Sequence, residues 1–323
     1  MEKLKKFDFF AMVKRNGLVI AFIVFFLVFS LSSSTFLSER NVFNVLRQQA
    51  VVGIIACSVT ALLIAGKFDL SVGSILSLSA VLVVDLHEKI APIPAIIITL
   101  LVAALIGILN GFLVGVLKLN AFVITLGMLT TVGAIPFIYT GGHHVQILGI
   151  DEVWFGFLGR GKIGPFPSQV ILFIIFAIIT SIFLAKTVTG RRIYAIGGNE
   201  VTAKYSGIQD AKLIIYLYIF TALSAAVGGI LLSSRVGGAQ NAYGRGYEFE
   251  VLAAVILGGT SINGGSGSII KTVLGVLLLG FVNNGLIMIG FDYWIQWIVE
   301  WGVIILAVCL DILARKGGQK VGY

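Results

Sequence analysis

Long apolar runs alternate with short polar stretches along almost the whole chain. Three runs, 51–65, 72–86 and 249–262, are short and bordered by glycine or polar residues, so each is expected to be a tilted span, a half-helix or a re-entrant segment. The other runs approach or exceed the about 20 residues that a helix needs to cross a bilayer. These other runs are roughly 17–37, 92–117, 121–140, 169–186, 213–232, 269–290 and 293–313. The pattern predicts an all-α integral membrane protein of about ten transmembrane or half-membrane helices.

Composition supports the same class. Of 323 residues, 58% are hydrophobic and 12% charged, whereas a soluble domain has about 25% charged residues. A soluble enzyme domain is therefore excluded. The two longest polar stretches, 141–168 and 187–212, are too short to form one. Cys57 and Cys309 lie in apolar runs without a CxxC pattern, so neither a disulfide nor a metal site is expected. The first apolar run lacks an A-x-A-like cleavage site and is expected to be a retained helix.

Charge predicts the orientation of the chain in the membrane. If the N-terminus is cytoplasmic and ten segments alternate sides, 16 of the 23 Lys and Arg residues fall on the cytoplasmic side. Because the Lys/Arg bias sets orientation, both termini are expected inside. The chain is then a single transmembrane domain, 1–323, with 16 cytoplasmic residues at its start, an extracytoplasmic loop 141–168 and a cytoplasmic loop 187–212.

The cytoplasmic loop carries the signals of one short helix over residues 199–207. The side chain of Asn199 can cap the first turn, and Glu200 there faces the positive end of the helix dipole. Lys204 follows Glu200 at the i,i+4 spacing, and Gly207 supplies a C-terminal stop. Such a helix is either an interfacial connector or a rigid element that receives force from a soluble motor.

Two loops beside short apolar segments share a chemistry of glycine and hydroxyl residues. They are Asp69–Ser74 and Gly258–Ser268. Small residues let helices approach closely, while interrupted helices in the two halves of a transporter point to its transport path. Both interpretations stay open at this point.

Other motifs carry no chemistry of their own. Gly159–Gly164 has the G-x-G-x-x-G spacing without the preceding strand and following helix that a nucleotide site needs, and the chain has no P-loop sequence. His143 and His144 are adjacent and cannot chelate one ion from one helix face. With His87, which is expected in another loop, they are interpreted as solvated histidines.

Several longer strings resemble one family. In chain order they are FDLSVGSILSLSA (68–80), NGFLVGVLKLNAFVITLGML (110–129), GRRIYAIGGNEVTAKYSGI (190–208), VILGGTSINGGSGSI (255–269) and LLLGFVNNGLIMIG (277–290). They resemble the permease subunits of ribose-type, binding-protein-dependent ABC sugar importers, and the likeness extends from about residue 40 to 312. The resemblance implies the ABC importer permease fold in a bacterial inner membrane.

The resemblance also implies partners and a coupling site. The partners are a second permease, identical or paralogous, an ATPase with two nucleotide domains that carries ATP and Mg, and an extracytoplasmic substrate-binding protein. No cofactor is expected in this chain, and membrane lipid surrounds it. In the family the loop matching 190–208 docks onto the ATPase. The candidate coupling residues are Arg191, Arg192, Gly198, Asn199, Glu200, Val201, Ala203, Lys204, Tyr205 and Gly207.

Within the apolar segments, polar side chains are candidates for a substrate path, because a sugar that sheds water needs hydrogen-bond partners. They are Asp69, Ser71, Ser74, Asn110, Thr125, Asn283 and Asn284. The exact sugar stays open. The alternative function is an ion-coupled secondary transporter that uses Glu300, a carboxylate inside the last run, as an intramembrane charge. Near this last span the family often has a basic residue and glycine instead, so the resemblance assigns Glu300 no role.

Overall fold

The computed structural model of the protein describes residues 22–150, 154–292, 294–299, 301, 302 and 305. Its helices are α1 (Phe22–Ser32), α2 (Glu39–Ile64), α3 (Val72–Ile90), α4 (Pro92–Gly111), α5 (Ala121–Thr140), α6 (Trp154–Arg160), α7 (Ser168–Lys186), α8 (Val188–Gly198), α9 (Glu200–Tyr205), α10 (Asp210–Val236), α11 (Tyr247–Leu257) and α12 (Ile269–Met288). A π-helical turn, Phe112–Val116, extends α4. Four two-residue strands complete the elements: β1 (Val145–Gln146), β2 (Lys162–Ile163), β3 (Phe166–Pro167) and β4 (Gly238–Ala239).

Six of the described helices are long and apolar enough to cross a membrane: α2, α4 with its π-turn, α5, α7, α10 and α12. The all-α class and the multi-pass membrane architecture are thereby confirmed. The run 293–313 lies largely outside the described residues, and so do Glu300, the first 21 residues and the C-terminal end.

The three short apolar runs form helices of different lengths. Run 51–65 is part of α2, a helix of 26 residues, which has the length of a tilted span. Glu39, Arg40 and Arg47 interrupt the apolar run but not the helix. Run 72–86 lies within α3, which has 19 residues. Run 249–262 contains α11, which has only 11 residues and extends about 16 Å, half of the about 30 Å hydrocarbon core. It is a half-helix.

The centre of the bundle is α10, which packs against α2, α3 and α4. Glycines permit the closest crossings: a Cβ at Gly107 of α4 would lie 2.7 Å from the Cα of Ile219, and one at Gly111 would lie 2.6 Å from the Cα of Ile215. Small residues at interfaces are the usual means by which membrane helices approach. In contrast, 22% of the spanning window of α4 and 17% of that of α5 is buried, so most of their apolar side chains face outward, as lipid contact requires.

One end of the bundle, called here the hairpin end, carries the short strands. β1 pairs antiparallel with β4, and β2 with β3. The described parts of loop 141–168 are therefore structured, with α6 between β1 and β2. His87 is not in a loop as expected: it lies near the end of α3, 9% exposed, with its ring 5.3 Å from that of Phe155. His143 and His144 are exposed.

The opposite end, called the α9 end, is where loops 65–71, 117–120, 187–209 and 258–268 meet. Loop 187–212 contains two helices rather than one, because α8 precedes α9. Thr187 caps α8 by accepting a hydrogen bond from the Gly190 amide at 3.0 Å, a signal that was overlooked in the sequence. The two helices form a compact corner with Asn199 at its vertex.

Candidate functional site

Helix α9 is built as the sequence predicts at both of its ends. The Oδ1 atom of Asn199 accepts a hydrogen bond from the Thr202 amide at 2.9 Å, as an N-cap does. Gly207 has φ +79°, the left-handed conformation that favours glycine at a helix end. The expected span 199–207 thus consists of cap, helical residues 200–205 and stop.

The charge pairing of Glu200 differs from expectation. Instead of Lys204 at the i,i+4 position, the carboxylate binds Lys67 and Lys118, each at 2.9 Å. Lys118 also pairs with Asp210 at the start of α10. Burial acts to raise the pKa of Glu200, but the hydrogen bonds from Lys118 and Lys67 outweigh it and the pKa lies below its usual value. These ion pairs join α9 to the loop before α3, the loop before α5 and the start of α10.

The outward face of α9 presents apolar side chains without cover. Val201 is 64% and Tyr205 89% exposed, whereas Ala203 between them is 4% exposed and packs inward. The cations Arg191, Arg192 and Lys204 are exposed around this face. An apolar centre with a basic rim is the surface that a docking partner needs.

A hollow of about 400 Å³ lies beside this face. It is formed by the start of α8, the turn after α9 and the first two turns of α10. The cations Arg192 and Lys212 line it, together with Tyr216 and Ile208. A partner with an acidic side chain at its rim would meet both charges there.

A crossing of three backbones holds α8 in place. The Gly265 amide donates to the carbonyl of Ile64, the last residue of α2, at 2.8 Å. Gly197 lies against both: a Cβ there would overlap the Ile64 carbonyl oxygen and lie 2.6 Å from the Gly265 nitrogen. The Tyr194 hydroxyl donates to the Gly267 carbonyl at 3.0 Å. The glycines of loop 258–268 therefore serve close packing at the α9 end.

Three of the path candidates form one buried network. Asp69 Oδ1 accepts from the Ser71 amide at 2.9 Å and from the Ser71 hydroxyl at 2.5 Å. Asn110 Nδ2 donates to the Ser71 hydroxyl at 3.0 Å. All three residues are at most 5% exposed, and Asp69 Oδ2 and Asn110 Oδ1 have no partner. The network joins the end of α4 to the start of α3; a contact of these groups with substrate stays a prediction.

The other four candidates lie elsewhere. Ser74 donates to the Leu129 carbonyl of α5, and Thr125 donates to the Ala121 carbonyl within its own helix at 2.8 Å. On α12, Asn284 exchanges two hydrogen bonds with Asn41 of α2, at 2.8 and 3.0 Å. Asn283 Oδ1 is buried without a partner. The seven candidates thus do not form a single lining.

A polar cluster that the sequence analysis missed lies midway along α2. It comprises Arg47 and Gln49 of α2, Arg235 of α10, Tyr243, and Tyr247 and Glu250 of the first turn of α11. Gln49 Nε2 donates to Glu250 Oε1 at 3.3 Å. The apolar runs drawn from the sequence begin after Arg47 and end before Arg235, although each of these residues lies within a spanning helix. Both are cations close to the edge of an apolar run, which was the available signal in the sequence.

Asn284→Ala is expected to weaken the α2–α12 contact, because the amide pair joins these two helices. Interhelical hydrogen bonds in membranes contribute about 0.6 kcal/mol each, so the loss of two lowers the free energy of unfolding by about 1 kcal/mol. The measurement is the melting temperature in detergent, combined with uptake. Asn283→Ala is the matched control for the melting temperature alone, since Asn283 makes no such pair among the described residues and is itself a path candidate. An Asn284→Ala variant with unchanged stability and uptake would remove Asn284 from both roles.

Helices long enough to span a membrane, a half-helix among them and an anchored, exposed helix at one end are the architecture of an integral membrane protein. Residues 41–309 match the family described as branched-chain amino acid transport system / permease component, and the chain belongs to this family. No solved structure matches the chain.

The chain is also similar to curated sugar importer permeases. It is 37% identical to the ribose import permease protein RbsC of Bacillus subtilis (strain 168) over 308 residues, which is 95% of each chain. The RbsC protein of Escherichia coli (strain K12) is 36% identical over 91% of this chain and 92% of its own length. The galactose/methyl galactoside import permease protein MglC of Salmonella typhimurium is 33% identical over 98% of this chain and the whole of its own. The resemblance to sugar importer permeases seen in the sequence is confirmed.

Proposed function

We propose that the chain is the membrane-spanning permease subunit of an ATP-driven importer that moves a monosaccharide, or a similar small polar solute, delivered by a binding protein. The observation that carries this proposal is the structure of α9. Its exposed Val201 and Tyr205 offer a docking face, while Glu200 fastens the helix to three other parts of the bundle. Movement of a docked partner is then transmitted to α3, α5 and α10 together.

The partners follow from the same proposal. An ATPase with two nucleotide domains binds ATP and Mg and docks at the α9 end, a second permease completes the path, and a substrate-binding protein delivers solute at the hairpin end. The chain itself carries no cofactor. In this arrangement the α9 end and both termini are cytoplasmic, about ten segments cross or enter a bacterial inner membrane, and the whole chain is one permease domain.

The relatives support a sugar as the solute. Proteins that match this chain over more than nine-tenths of their own length are named for ribose import and for galactose or methyl galactoside import. An ion-coupled carrier that uses Glu300 is the alternative, and no observation on the described residues favours it. The choice between ribose, a hexose and a related solute belongs largely to the binding protein.

Uptake by the reconstituted complex tests the proposal. Vesicles that contain this chain with its ATPase, supplied with the binding protein and labelled ribose or galactose, are expected to accumulate sugar only when ATP is hydrolysed. A protonophore that removes the proton gradient should leave the rate unchanged. Uptake that persists without ATP and collapses with the gradient would overturn the proposal in favour of the ion-coupled alternative.

Asn199→Ala is expected to weaken coupling without preventing membrane insertion. The substitution removes the bond from the Thr202 amide, and loss of an N-cap costs about 0.5–2 kcal/mol. A helix of six residues has little stability of its own, so α9 frays while the spanning helices stay intact. Substrate-stimulated ATP hydrolysis in lipid is the measurement. Asn199→Asp, which keeps the capping oxygen, should retain most of the stimulation; equal losses in the two variants would contradict a capping role.

A further inference from the structure

The polar cluster midway along α2 includes charged side chains of spanning helices, which are energetically unfavourable inside a membrane. Arg47 is the ninth residue of a 26-residue helix, about 12 Å from its start, and Arg235 is in the last turn of α10. Arg47, Tyr243 and Tyr247 all lie within electrostatic range of the Arg235 guanidinium. Charged side chains inside a membrane face protein partners or a water-filled path, because lipid does not solvate them.

Protein partners among the described residues account for only part of the cluster. Among the described residues neither Arg47 nor Arg235 forms an ion pair, and Arg47 Nε is buried without a hydrogen bond. Gln49 is 7% exposed, and its Oε1 also has no partner. Buried polar atoms are nearly always satisfied. The cluster therefore has a free donor, Arg47 Nε, and a free acceptor, Gln49 Oε1.

The backbone around the cluster is that of a re-entrant segment. Loop 237–246 starts at the hairpin end, where β4 pairs with β1. It then enters the bundle, where the Gly244 amide donates to the Ser77 hydroxyl of α3 at 2.7 Å. α11 then begins inside the bundle. Its first turn faces Gln49. Half-helices that start within the membrane form substrate sites in transporters, because their first turn leaves polar groups free.

We propose that Arg47, Gln49, Arg235, Tyr243, Tyr247 and Glu250 form a contact site for sugar hydroxyls in the path of this permease, a proposal that rests on the function proposed above. The guanidinium groups donate to hydroxyl oxygens, and Gln49 Oε1 and Glu250 accept from hydroxyl protons. The tyrosine rings offer flat apolar faces to the C–H groups of a sugar ring. A set with both donors and acceptors suits a neutral polyol.

Sugar transported per ATP hydrolysed tests this site. The measurement uses the complete importer in vesicles, with labelled ribose and galactose as probes and binding-protein-stimulated ATP hydrolysis recorded in parallel. Tyr247→Phe and Arg235→Lys are expected to lower sugar transported per ATP about tenfold, while stimulated hydrolysis stays within about twofold of the wild type. Leu105→Val, on the outward apolar face of α4 and 65% exposed, is the control and should leave the ratio unchanged.

The outcomes separate this site from the proposed function. Uptake and hydrolysis that fall in parallel would assign the cluster a purely structural role. Uptake and hydrolysis that both stay at the wild-type level would show that the cluster does not contact the sugar. Either result overturns the site. A wild-type complex that takes up neither sugar with ATP would instead overturn the proposed function.

Water access gives a second measurement that does not depend on transport. In a chain carrying Cys57→Ala and Cys309→Ala, Tyr243→Cys is expected to react with a water-soluble maleimide, and ribose or galactose should slow the reaction in the presence of the complete complex. Leu105→Cys on α4 is the control, since Leu105 is 65% exposed on an apolar face and should stay unlabelled in lipid. A Tyr243→Cys variant as unreactive as Leu105→Cys would overturn a water-filled site.

Discussion

Ala203→Pro is expected to abolish coupling between ATP hydrolysis and sugar uptake while the chain still inserts into the membrane. The Ala203 amide donates to the Asn199 carbonyl at 3.0 Å, the first full turn of α9. Proline has no amide proton, and its ring collides with the carbonyl four residues earlier, which together cost about 3 kcal/mol or more. A six-residue helix cannot absorb that cost.

The mechanical consequence is the loss of the docking face. Without the helical turn, Val201 and Tyr205 no longer share a fixed surface, and Glu200 cannot hold Lys67 and Lys118 at the same time. Substrate-stimulated ATP hydrolysis by the assembled complex in lipid should fall at least tenfold. Ala203→Ser is the matched control, because it keeps the amide and nearly the same volume. A proline variant that assembles and couples normally would show that α9 is only a connector.

Gly197→Ala is expected to have the largest effect on folding, because the added methyl group has no space. It would overlap the Ile64 carbonyl oxygen and lie 2.6 Å from the Gly265 nitrogen. Both neighbours are backbone atoms that already share a hydrogen bond, so no side-chain rotation relieves the contact. Overpacking of a well-packed site costs about 1–3 kcal/mol, and separation of three backbones should reach the upper end of that range.

The matched control is the next residue. A Cβ at Gly198 would meet nothing within 4 Å, and alanine is favoured over glycine in a helix by about 0.5–1 kcal/mol. In detergent, Gly197→Ala should lower the melting temperature by about 5 °C or more, whereas Gly198→Ala should leave it unchanged or slightly raised. Because Gly198 belongs to the proposed ATPase contact, it serves as a control for stability alone. Equal melting temperatures for the two variants would contradict the backbone crossing.

Local signals in the sequence were sufficient for the separate elements. Period and length of the apolar runs predicted a membrane bundle, and run 121–140 coincides with α5. Capping chemistry predicted α9, since an N-cap and a glycine stop act within a few residues of each other. The strings at 190–208 and 255–269 carried the family resemblance, which the comparisons confirmed.

Where the sequence misled, long-range packing was the reason. The apolar run drawn from the sequence starts at residue 51 and leaves out Arg47 and Gln49, because polar residues interrupt it. Helix α2 nevertheless continues through both, beside Glu250, about 200 positions further along the chain. Similarly, Lys204 is the nearest cation to Glu200 in sequence, while its actual partners come from two other loops.

The sequence by itself determined the class of protein, the apolar segments, the capped helix and the family, because each depends on local composition or on order along the chain. Only the tertiary structure decided which charges anchor α9, why Gly197 must lack a side chain, and which polar groups meet midway along α2. Those contacts join residues that are far apart in the chain. They are set by the packing of whole helices, which no local pattern encodes.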